Sequence, residues 1–305
     1  MQAKPIVRWV GVLLLLAIAL SFGSNHVSAR VAFEHGASVT TAVTLRSIFT
    51  ALFVLTLIRL QGIPLALPAG TGRRALLIGC VLATQSFCLY SAVARIPVAL
   101  ALLAFNTFPM LLSLISWAAD GEAPNRRALV AMPLALVGLA LALDVVGLGG
   151  SVSGRWAEIG VGVGFALGAA LSFALMLHLT VRWLKDLDGR VRTFLTMSVA
   201  AVIMLIVGAA TGNVALPRAP VGWVGLVLLC VFYATAIITL FIVLPRIDAV
   251  NNAMVLNSEP IMVLGLAWLV LDQAVAPRQI VGALIVVGAI VFLSAGGRRA
   301  GARAQ

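Results

Sequence analysis

Long apolar runs separated by short polar breaks cover almost the whole chain. Ten of these runs are close to twenty residues long, which is the length that an α-helix needs to cross the roughly 30 Å hydrocarbon core of a membrane. They are Trp9–Ala29, Thr41–Leu60, Ala75–Ala94, Val98–Ala118, Leu129–Val146, Ile159–Leu179, Thr193–Gly212, Val221–Leu244, Ala249–Leu271 and Ile280–Ala295. The breaks are too short for a soluble domain, so the pattern predicts an all-α membrane protein with ten transmembrane helices.

The composition agrees with this fold class. Of the 305 residues, 62% are hydrophobic and 10% are charged, whereas soluble domains have about 25% charged residues. The 21 Lys and Arg residues outnumber the 10 Asp and Glu residues, but no basic domain is present that would bind nucleic acid. Fifteen of the basic residues fall on one side of the predicted membrane and five on the other. The positive-inside rule therefore predicts that both termini are cytoplasmic.

The N-terminal run has a second interpretation. Lys4 and Arg8 precede an apolar stretch that ends in Val27-Ser28-Ala29, which is similar to a signal peptide and its cleavage site. Cleavage would leave an odd number of spans and would remove part of the internal repeat described next. We therefore predict that this run is the first transmembrane span.

The chain matches itself at an offset of 151 to 152 residues. The matching segments are Ala19–Phe22 with Ala170–Phe173, His26 and Arg30 with His178 and Arg182, Arg95-Ile96 with Arg246-Ile247, Asn106–Pro109 with Asn257–Pro260, and Asp120 with Asp272. The halves, residues 1–150 and 151–305, contain five predicted spans each. Because five is odd, the second half is expected to be inverted in the membrane. Two inverted five-helix repeats are typical of secondary transporters, which open a central site to each side in turn.

Two related motifs occur in the fourth and ninth spans. Phe108-Pro109 is followed by Asp120-Gly121-Glu122, and Glu259-Pro260 is followed by Asp272-Gln273. With the five-plus-five arrangement, these residues resemble the drug/metabolite transporter (DMT) superfamily, EamA type, and the chain looks closest to the aromatic amino acid exporter branch. Asp272-Gln273 departs from the usual Gly-Glu ending. The resemblance implies export of amino acids or similar metabolites across a bacterial inner membrane.

Polar and aromatic side chains inside the predicted spans are the candidates for a substrate cavity, because a charged group at the centre of a membrane helix costs about 2.5–3.5 kcal/mol. The candidates are Phe22, Asn25, His26, Gln85, Asn106, His178, Tyr233, Asn252 and Glu259. Pro109 and Pro260 are predicted to break their helices and to free backbone carbonyl groups toward this cavity.

Several of these residues have more than one interpretation. Glu259 either binds a substrate ammonium group or carries a coupling proton, or it is a structural group that is hydrogen-bonded beside Pro260. Asn106 either lines the cavity or caps a local helix break. Arg46 either extends to the outer membrane surface or binds a substrate carboxylate. His26 and His178 occupy equivalent positions, where they either form hydrogen bonds between helices or belong to a gate or cavity.

Other protein classes fit the sequence less well. It contains neither the H-E-x-x-H nor the G-x-S-x-G motif of known enzymes, and it lacks the repeated carbonyl filter of channels. We predict a secondary transporter that works by alternating access through a central cavity and is not an enzyme. The alternatives are an exporter of other small metabolites or drugs, or a gated channel. The predicted partners are a small-molecule substrate and membrane lipid, with no cofactor, metal or nucleic acid.

Two predictions concern helix packing. Gly160, Gly164 and Gly168 form a ridge of small residues on the sixth span, which favours close approach of another helix. The fifth and tenth spans are the least polar, so they are expected at the periphery or in a homodimer contact.

Overall fold

The computed structural model describes residues 8–68, 70–121, 126–142, 152–243, 258–273 and 276–294. Over these residues the chain is helical and contains no β-strand. The helices are α1 (Arg8–Glu34), α2 (Val39–Leu60), α3 (Thr71–Arg95), α4 (Val98–Phe105), α5 (Phe108–Asp120), α6 (Arg126–Ala142), α7 (Val152–Trp183), α8 (Gly189–Thr211), α9 (Pro220–Val243), α10 (Glu259–Leu271) and α11 (Pro277–Ser294).

Seven helical segments in the described part of the chain are long and apolar enough to cross a membrane, and three shorter apolar helices accompany them. The long segments correspond to the predicted spans one to four and six to eight, and the short ones to spans five, nine and ten. Large apolar side chains remain exposed on the outer faces, for example Leu60 (78%) and Leu269 (68%), as expected for contact with lipid. The chain is therefore a multi-pass membrane protein, and the count of ten helices stays a prediction.

The fourth span is divided into two helices. It runs from Val98 to Asp120, but α4 ends at Phe105 and α5 begins at Phe108. Asn106 ends α4, and its Nδ2 atom donates to the carbonyl oxygen of Leu102 at 2.8 Å. Pro109 lies in the first turn of α5, where its missing N–H group removes no helical hydrogen bond. The break thus precedes the proline.

The largest helix interfaces join antiparallel helices from different halves of the chain. In the pair α1 and α9, Phe22 packs on Tyr233, and Gly225 lies against the α1 backbone near Ala32. In the pair α3 and α7, Cys88 lies near Gly168. In each pair, the beginning of one helix packs against the end of the other, so the two helices are antiparallel. These contacts place both halves around one centre.

Two further pairs bring together helices that occupy equivalent positions in the two halves. Thr40 at the start of α2 lies against Gly208 near the end of α8, whereas Ile58 at the end of α2 packs on Val191 at the start of α8. Helices α6 and α11 pair in the same antiparallel manner through Gly138 and Ile285. Equivalent helices therefore run in opposite directions.

The interfaces also correspond when the halves are exchanged. Helices α5 and α10 begin 151 residues apart, at Phe108 and Glu259, and α2 with α8 and α6 with α11 have nearly the same spacing. Under this exchange the α1–α9 interface corresponds to α7–α3, α1–α10 to α7–α5, and α3–α8 to α9–α2. The main packing of the bundle is therefore approximately symmetric.

The predicted glycine ridge is only partly involved in packing. Gly168 faces the Cys88 sulfur, but a side chain at Gly164 would meet nothing within 4 Å. The closest approach in this helix is at Gly162, where an added Cβ atom would lie 2.5 Å from Ile96. The i, i+4 spacing identified a common helix face, but Gly162 lies almost on the opposite side of the helix from Gly160 and Gly164, so the tight contact with Ile96 is not on the predicted ridge.

Candidate functional site

A cluster of polar and aromatic side chains is buried between helices from the two halves. Its members, hereafter the central cluster, come from α1, α2, α3, α9 and α10, and they are Phe22, Asn25, His26, Arg46, Gln85, Ser86, Tyr90, Tyr233 and Glu259. The first half supplies most of them, and the second half supplies Tyr233 and Glu259. Six of the predicted cavity residues therefore lie together.

Arg46 is the charged centre of this cluster. Its side chain is 3% exposed, and its Nη1 and Nη2 atoms donate to the Tyr90 hydroxyl at 3.1 Å and to Ser86 Oγ at 2.7 Å. The guanidinium carbon also lies 4.2 Å from the centre of the Tyr233 ring and 4.9 Å from that of Tyr90, which are distances for cation–π attraction. The interpretation that Arg46 extends to the membrane surface is wrong, because these contacts hold it inside the bundle.

A chain of hydrogen bonds extends from Arg46 to helix α1. The Tyr90 hydroxyl accepts from Arg46 and donates to Asn25 Oδ1 at 2.7 Å. On the other side, Ser86 Oγ accepts from Arg46 and donates to Gln85 Oε1 at 3.2 Å. Because each hydroxyl accepts one bond and donates another, the chain fixes the direction of its hydrogen bonds.

Glu259 and His26 form the second part of the central cluster. Glu259 Oε1 lies 3.6 Å from His26 Nε2, and the two side chains are 24% and 8% exposed. This distance is slightly longer than a hydrogen bond but allows strong electrostatic interaction in a buried setting. Glu259 opens helix α10, where unpaired backbone N–H groups favour a negative charge. The arrangement brings an acidic group and an imidazole together at the beginning of α10.

Four buried polar atoms of the described residues have no hydrogen-bond partner: Asn25 Nδ2, His26 Nδ1, Arg46 Nε and Ser47 Oγ. Three of these atoms belong to central-cluster residues, and the fourth belongs to the residue after Arg46. Buried polar atoms are nearly always paired in folded proteins. The concentration of unpaired atoms here makes this cluster the candidate functional site.

A second group of charged residues lies where α5 and α7 end, hereafter the Asp120 end of the bundle. Arg182 Nη1 donates to Asp120 Oδ1 at 2.5 Å, and His178 Nδ1 lies 3.7 Å from the other carboxylate oxygen. The predicted cavity residue His178 therefore lies outside the central cluster. Between the two groups, the ring centres of Phe108 and Phe173 are 4.8 Å apart.

The opposite end, where α1 and α10 end, is hereafter the Arg30 end. Arg30 donates to Glu34 at 2.7 Å and to the carbonyl oxygen of Val93 at 2.9 Å. Asp272 is exposed after α10, and no ion pair joins it to α1 within the described residues. A cleft of about 430 Å³ lies beside Arg30. By the repeat, Arg30 and Asp272 are the counterparts of Arg182 and Asp120.

The remaining candidates have other positions. Asn106 donates to the carbonyl oxygen of Leu102 in its own helix, and its role in the cavity stays a prediction. Pro260 lies in the first turn of α10, as Pro109 does in α5. Asn252 lies outside the described residues. Where the chain is described, no group of three or more His, Cys, Asp or Glu side chains is arranged to hold a metal ion.

Sequence reasoning missed Tyr90 and Ser86, which form the hydrogen bonds to Arg46. Tyr90 is one of only two tyrosines in the chain, and it is completely buried. A tyrosine inside an apolar span requires a partner for its hydroxyl, and this argument pointed to Tyr233 but applies equally to Tyr90. Ser86 offered no such signal, because a serine inside a membrane helix can bond to its own backbone.

Comparison with known proteins agrees with this architecture. The EamA-like transporter family matches two separate stretches of the chain, residues 9–143 and residues 160–295. A solved crystal structure, described only as that of a protein, is similar with a TM-score of 0.63 and 17% sequence identity, over 96% of this chain and 99% of that chain. At this identity the similarity concerns the fold alone. No curated protein matches the sequence significantly.

A multi-pass helical bundle of two repeats with a polar cluster between them is the architecture of a membrane transporter. The chain belongs to the EamA-like transporter family, within the DMT superfamily, and it contains two copies of the family's repeat. The resemblance expected from its sequence is thus confirmed at the level of the family. The aromatic amino acid exporter branch stays a prediction.

Proposed function

We propose that this protein is a secondary transporter that exports amino acids or similar small metabolites by alternating access through a central cavity. Membership of a transporter family and the multi-pass fold support transport of a small molecule across a membrane. We place the two repeats at residues 1–150 and 151–305. The boundary between them lies outside the described residues.

The antiparallel pairing of equivalent helices supports inversion of the repeats. Helix α2 runs opposite to α8, and α6 runs opposite to α11. Two similar halves with opposite orientations can exchange conformations, and this exchange moves the opening of a central site from one side of the membrane to the other. The same pairing joins α6 to α11, the helices that we propose for the periphery or a homodimer contact.

The observation that carries this proposal is that the packing is approximately symmetric, whereas the described residues contain an Arg182–Asp120 ion pair but no equivalent pair between Arg30 and Asp272. At the Asp120 end, Arg182 joins α7 to α5 through Asp120. At the Arg30 end, the equivalent arginine binds Glu34 on its own helix and the carbonyl oxygen of Val93 in α3, and Asp272 is exposed. We propose that this conformation is closed at the Asp120 end, and that the opposite conformation exchanges the two ionic contacts.

The central cluster is the proposed substrate site. It lies between the two ends, and aromatic rings separate it from the Asp120 end, since Phe105, Phe108 and Phe173 pack within 6 Å of one another. Polar groups beside Phe22 and Tyr233 suit a small zwitterion with an apolar side chain. Glu259 is proposed to bind the substrate ammonium group or to carry a coupling proton, with His26 as its neighbour.

We propose a bacterial inner membrane location with both termini in the cytoplasm. The support is the distribution of basic residues, fifteen against five, under the positive-inside rule. In this orientation the Asp120 end faces the cytoplasm and the Arg30 end faces the periplasm. The proposed conformation is therefore open toward the outside.

Counterflow of labelled amino acids in proteoliposomes at several pH values tests the proposed function. We expect saturable, trans-stimulated uptake by the wild type and strongly reduced uptake by Glu259→Gln. The matched control is Asp186→Asn, which removes an exposed carboxylate from the segment between α7 and α8 and is expected to preserve uptake. Unchanged uptake and unchanged pH dependence in folded Glu259→Gln would refute the role of this carboxylate, and unitary conductance in planar bilayers would indicate a channel instead.

A further inference from the structure

Helix α2 places a positive charge inside the bundle without an acidic partner among the described residues. Arg46 is 3% exposed. The carboxylates that form ion pairs in the described chain do so with other residues, namely His26, Arg30, His178, Arg182 and Arg190. Transfer of an unpaired charge from water into a protein interior is strongly unfavourable. The position of this guanidinium therefore requires a specific explanation.

The protein neighbours of Arg46 satisfy only part of its hydrogen-bonding capacity. A guanidinium group carries five N–H donors. Tyr90 and Ser86 accept one bond each, the rings of Tyr90 and Tyr233 offer their faces, and the Nε atom has no partner. All of these partners are neutral, so they orient the charge without neutralising it.

Asn25 on helix α1 also has an unpaired donor atom, Nδ2. Because the Tyr90 hydroxyl donates to Asn25 Oδ1, the amide of Asn25 is oriented with its oxygen toward Tyr90. Its Nδ2 atom, which can only donate, is left without an acceptor. Arg46 Nε and Asn25 Nδ2 thus both lack an acceptor, and they belong to residues that the same tyrosine connects. An oxygen acceptor with negative charge would suit both of these donors.

We infer that Arg46, oriented by Tyr90 and Ser86, binds a carboxylate group of the transported molecule. A carboxylate offers two oxygen atoms that match the planar fork of a guanidinium, and its charge neutralises that of Arg46. This inference rests on the proposed function and specifies its class of substrates. It restricts the substrates to molecules with a carboxylate and excludes amines and other cations that lack one.

The surroundings indicate how such a molecule would lie. The ring of Tyr233 packs on both Arg46 and Phe22, so an apolar part of the substrate beside the carboxylate would meet aromatic surface. Glu259, with 24% of its side chain exposed, lies 3.6 Å from His26, whose ring also packs on that of Tyr90. The cluster thus offers a position beside Arg46 for a negative group and a separate position beside Glu259 for a positive group.

Transport of matched ligand series in proteoliposomes tests the inference. The probes are L-phenylalanine with L-phenylalaninamide and 2-phenylethylamine, and L-leucine with L-leucinamide and 3-methylbutylamine. The members of a series share a side chain and differ in the carboxylate. We expect counterflow with the acids, and competition by the amides and amines that is weaker by about 30-fold or more.

Variants of the arginine supply the second measurement. Arg46→Gln is expected to lose uptake of the acids and their advantage over the amides, and Arg46→Lys is expected to retain part of both, because it keeps the charge without the fork. Arg190→Gln is the control, since Arg190 already pairs with Asp188. If Arg46→Gln does not fold, Arg46→Lys and the wild-type ratio of acid to amide still decide the question.

The outcomes separate the inference from the proposed function. Equal transport of acids, amides and amines, or full acid selectivity in folded Arg46→Gln, would overturn the role of Arg46 and leave the transporter assignment intact. Transport of none of these molecules would contradict amino acid export and the inference together. Loss of selectivity in Arg190→Gln as well would also overturn the assignment to Arg46.

Discussion

The ion pair between Asp120 and Arg182 is expected to hold the Asp120 end closed, and Asp120→Asn should weaken that closure. The two groups are 2.5 Å apart, with side chains that are 33% and 54% exposed. A partly exposed ion pair of this kind contributes about 1 kcal/mol. If the pair exists only in the closed conformation, its loss changes the ratio of open to closed protein about fivefold.

Alkylation of a cysteine placed behind the ion pair measures this change. Phe173, which packs on Phe108 inside the Asp120 end, is changed to Cys in protein whose native cysteines are replaced by alanine. The rate of reaction with a water-soluble maleimide reports the population of the open conformation. We expect reaction about five times faster after Asp120→Asn.

Asp188→Asn is the matched control for this experiment. It also removes an Asp–Arg pair at the Asp120 end, but its partner Arg190 lies two residues away in the same segment, so the pair joins no two helices. The alkylation rate is expected to stay unchanged. An unaltered rate after Asp120→Asn, or an equal increase after Asp188→Asn, would refute the role of Asp120 in closure.

Three further predictions concern stability. Gly225→Ala places a Cβ atom 2.8 Å from a backbone oxygen of α1, so the free energy of unfolding should fall by about 1–3 kcal/mol in thermal unfolding. In the control Gly164→Ala the added Cβ atom meets nothing within 4 Å, so the free energy of unfolding should not change. Tyr90→Phe leaves two buried groups without a partner and should destabilise the protein by about 1–3 kcal/mol. The smallest effect expected for the loss of one hydrogen bond is roughly 0.5 kcal/mol, so a smaller change would argue against the hydrogen-bond chain. Hydrogen bonds from Arg190 lower the pKa of Asp188. This carboxylate therefore stabilises the fold above its ordinary pKa near 4, and its contribution is lost as the pH falls through the lowered pKa. Unfolding measured from pH 7 to pH 3 should be less acid-sensitive in Asp188→Asn than in the wild type.

Much of the fold could be predicted from the sequence because membrane spans are encoded locally. The length of an apolar run and the absence of charge within it decide whether a helix crosses the bilayer. The internal match was equally readable, and the starts of α5 and α10 at Phe108 and Glu259 agree with the offset. The helix break was assigned to Pro109, whereas the chain breaks just before it because proline is accepted in a first turn.

The candidate site was predicted less completely, because a polar residue inside a span shows that it needs a partner but not which one. Asn106 found its partner one turn earlier in its own helix. His178 found Asp120 at the end of the bundle, whereas its counterpart His26 lies beside Glu259. Tyr90, whose hydroxyl required a partner that the sequence could not name, proved to connect Arg46 with Asn25.

The sequence by itself therefore determined the class of the protein, its multi-pass helical fold and its two repeats, because the bilayer imposes a length and a polarity that each segment must satisfy alone. Only the tertiary structure decided which polar groups meet. Arg46 and Tyr90 are 44 residues apart, and Asn25 and Tyr90 are 65 residues apart. Their contact depends on how each helix is rotated about its axis, and a shift of one residue turns a side chain by about 100°, from the centre of the bundle toward lipid.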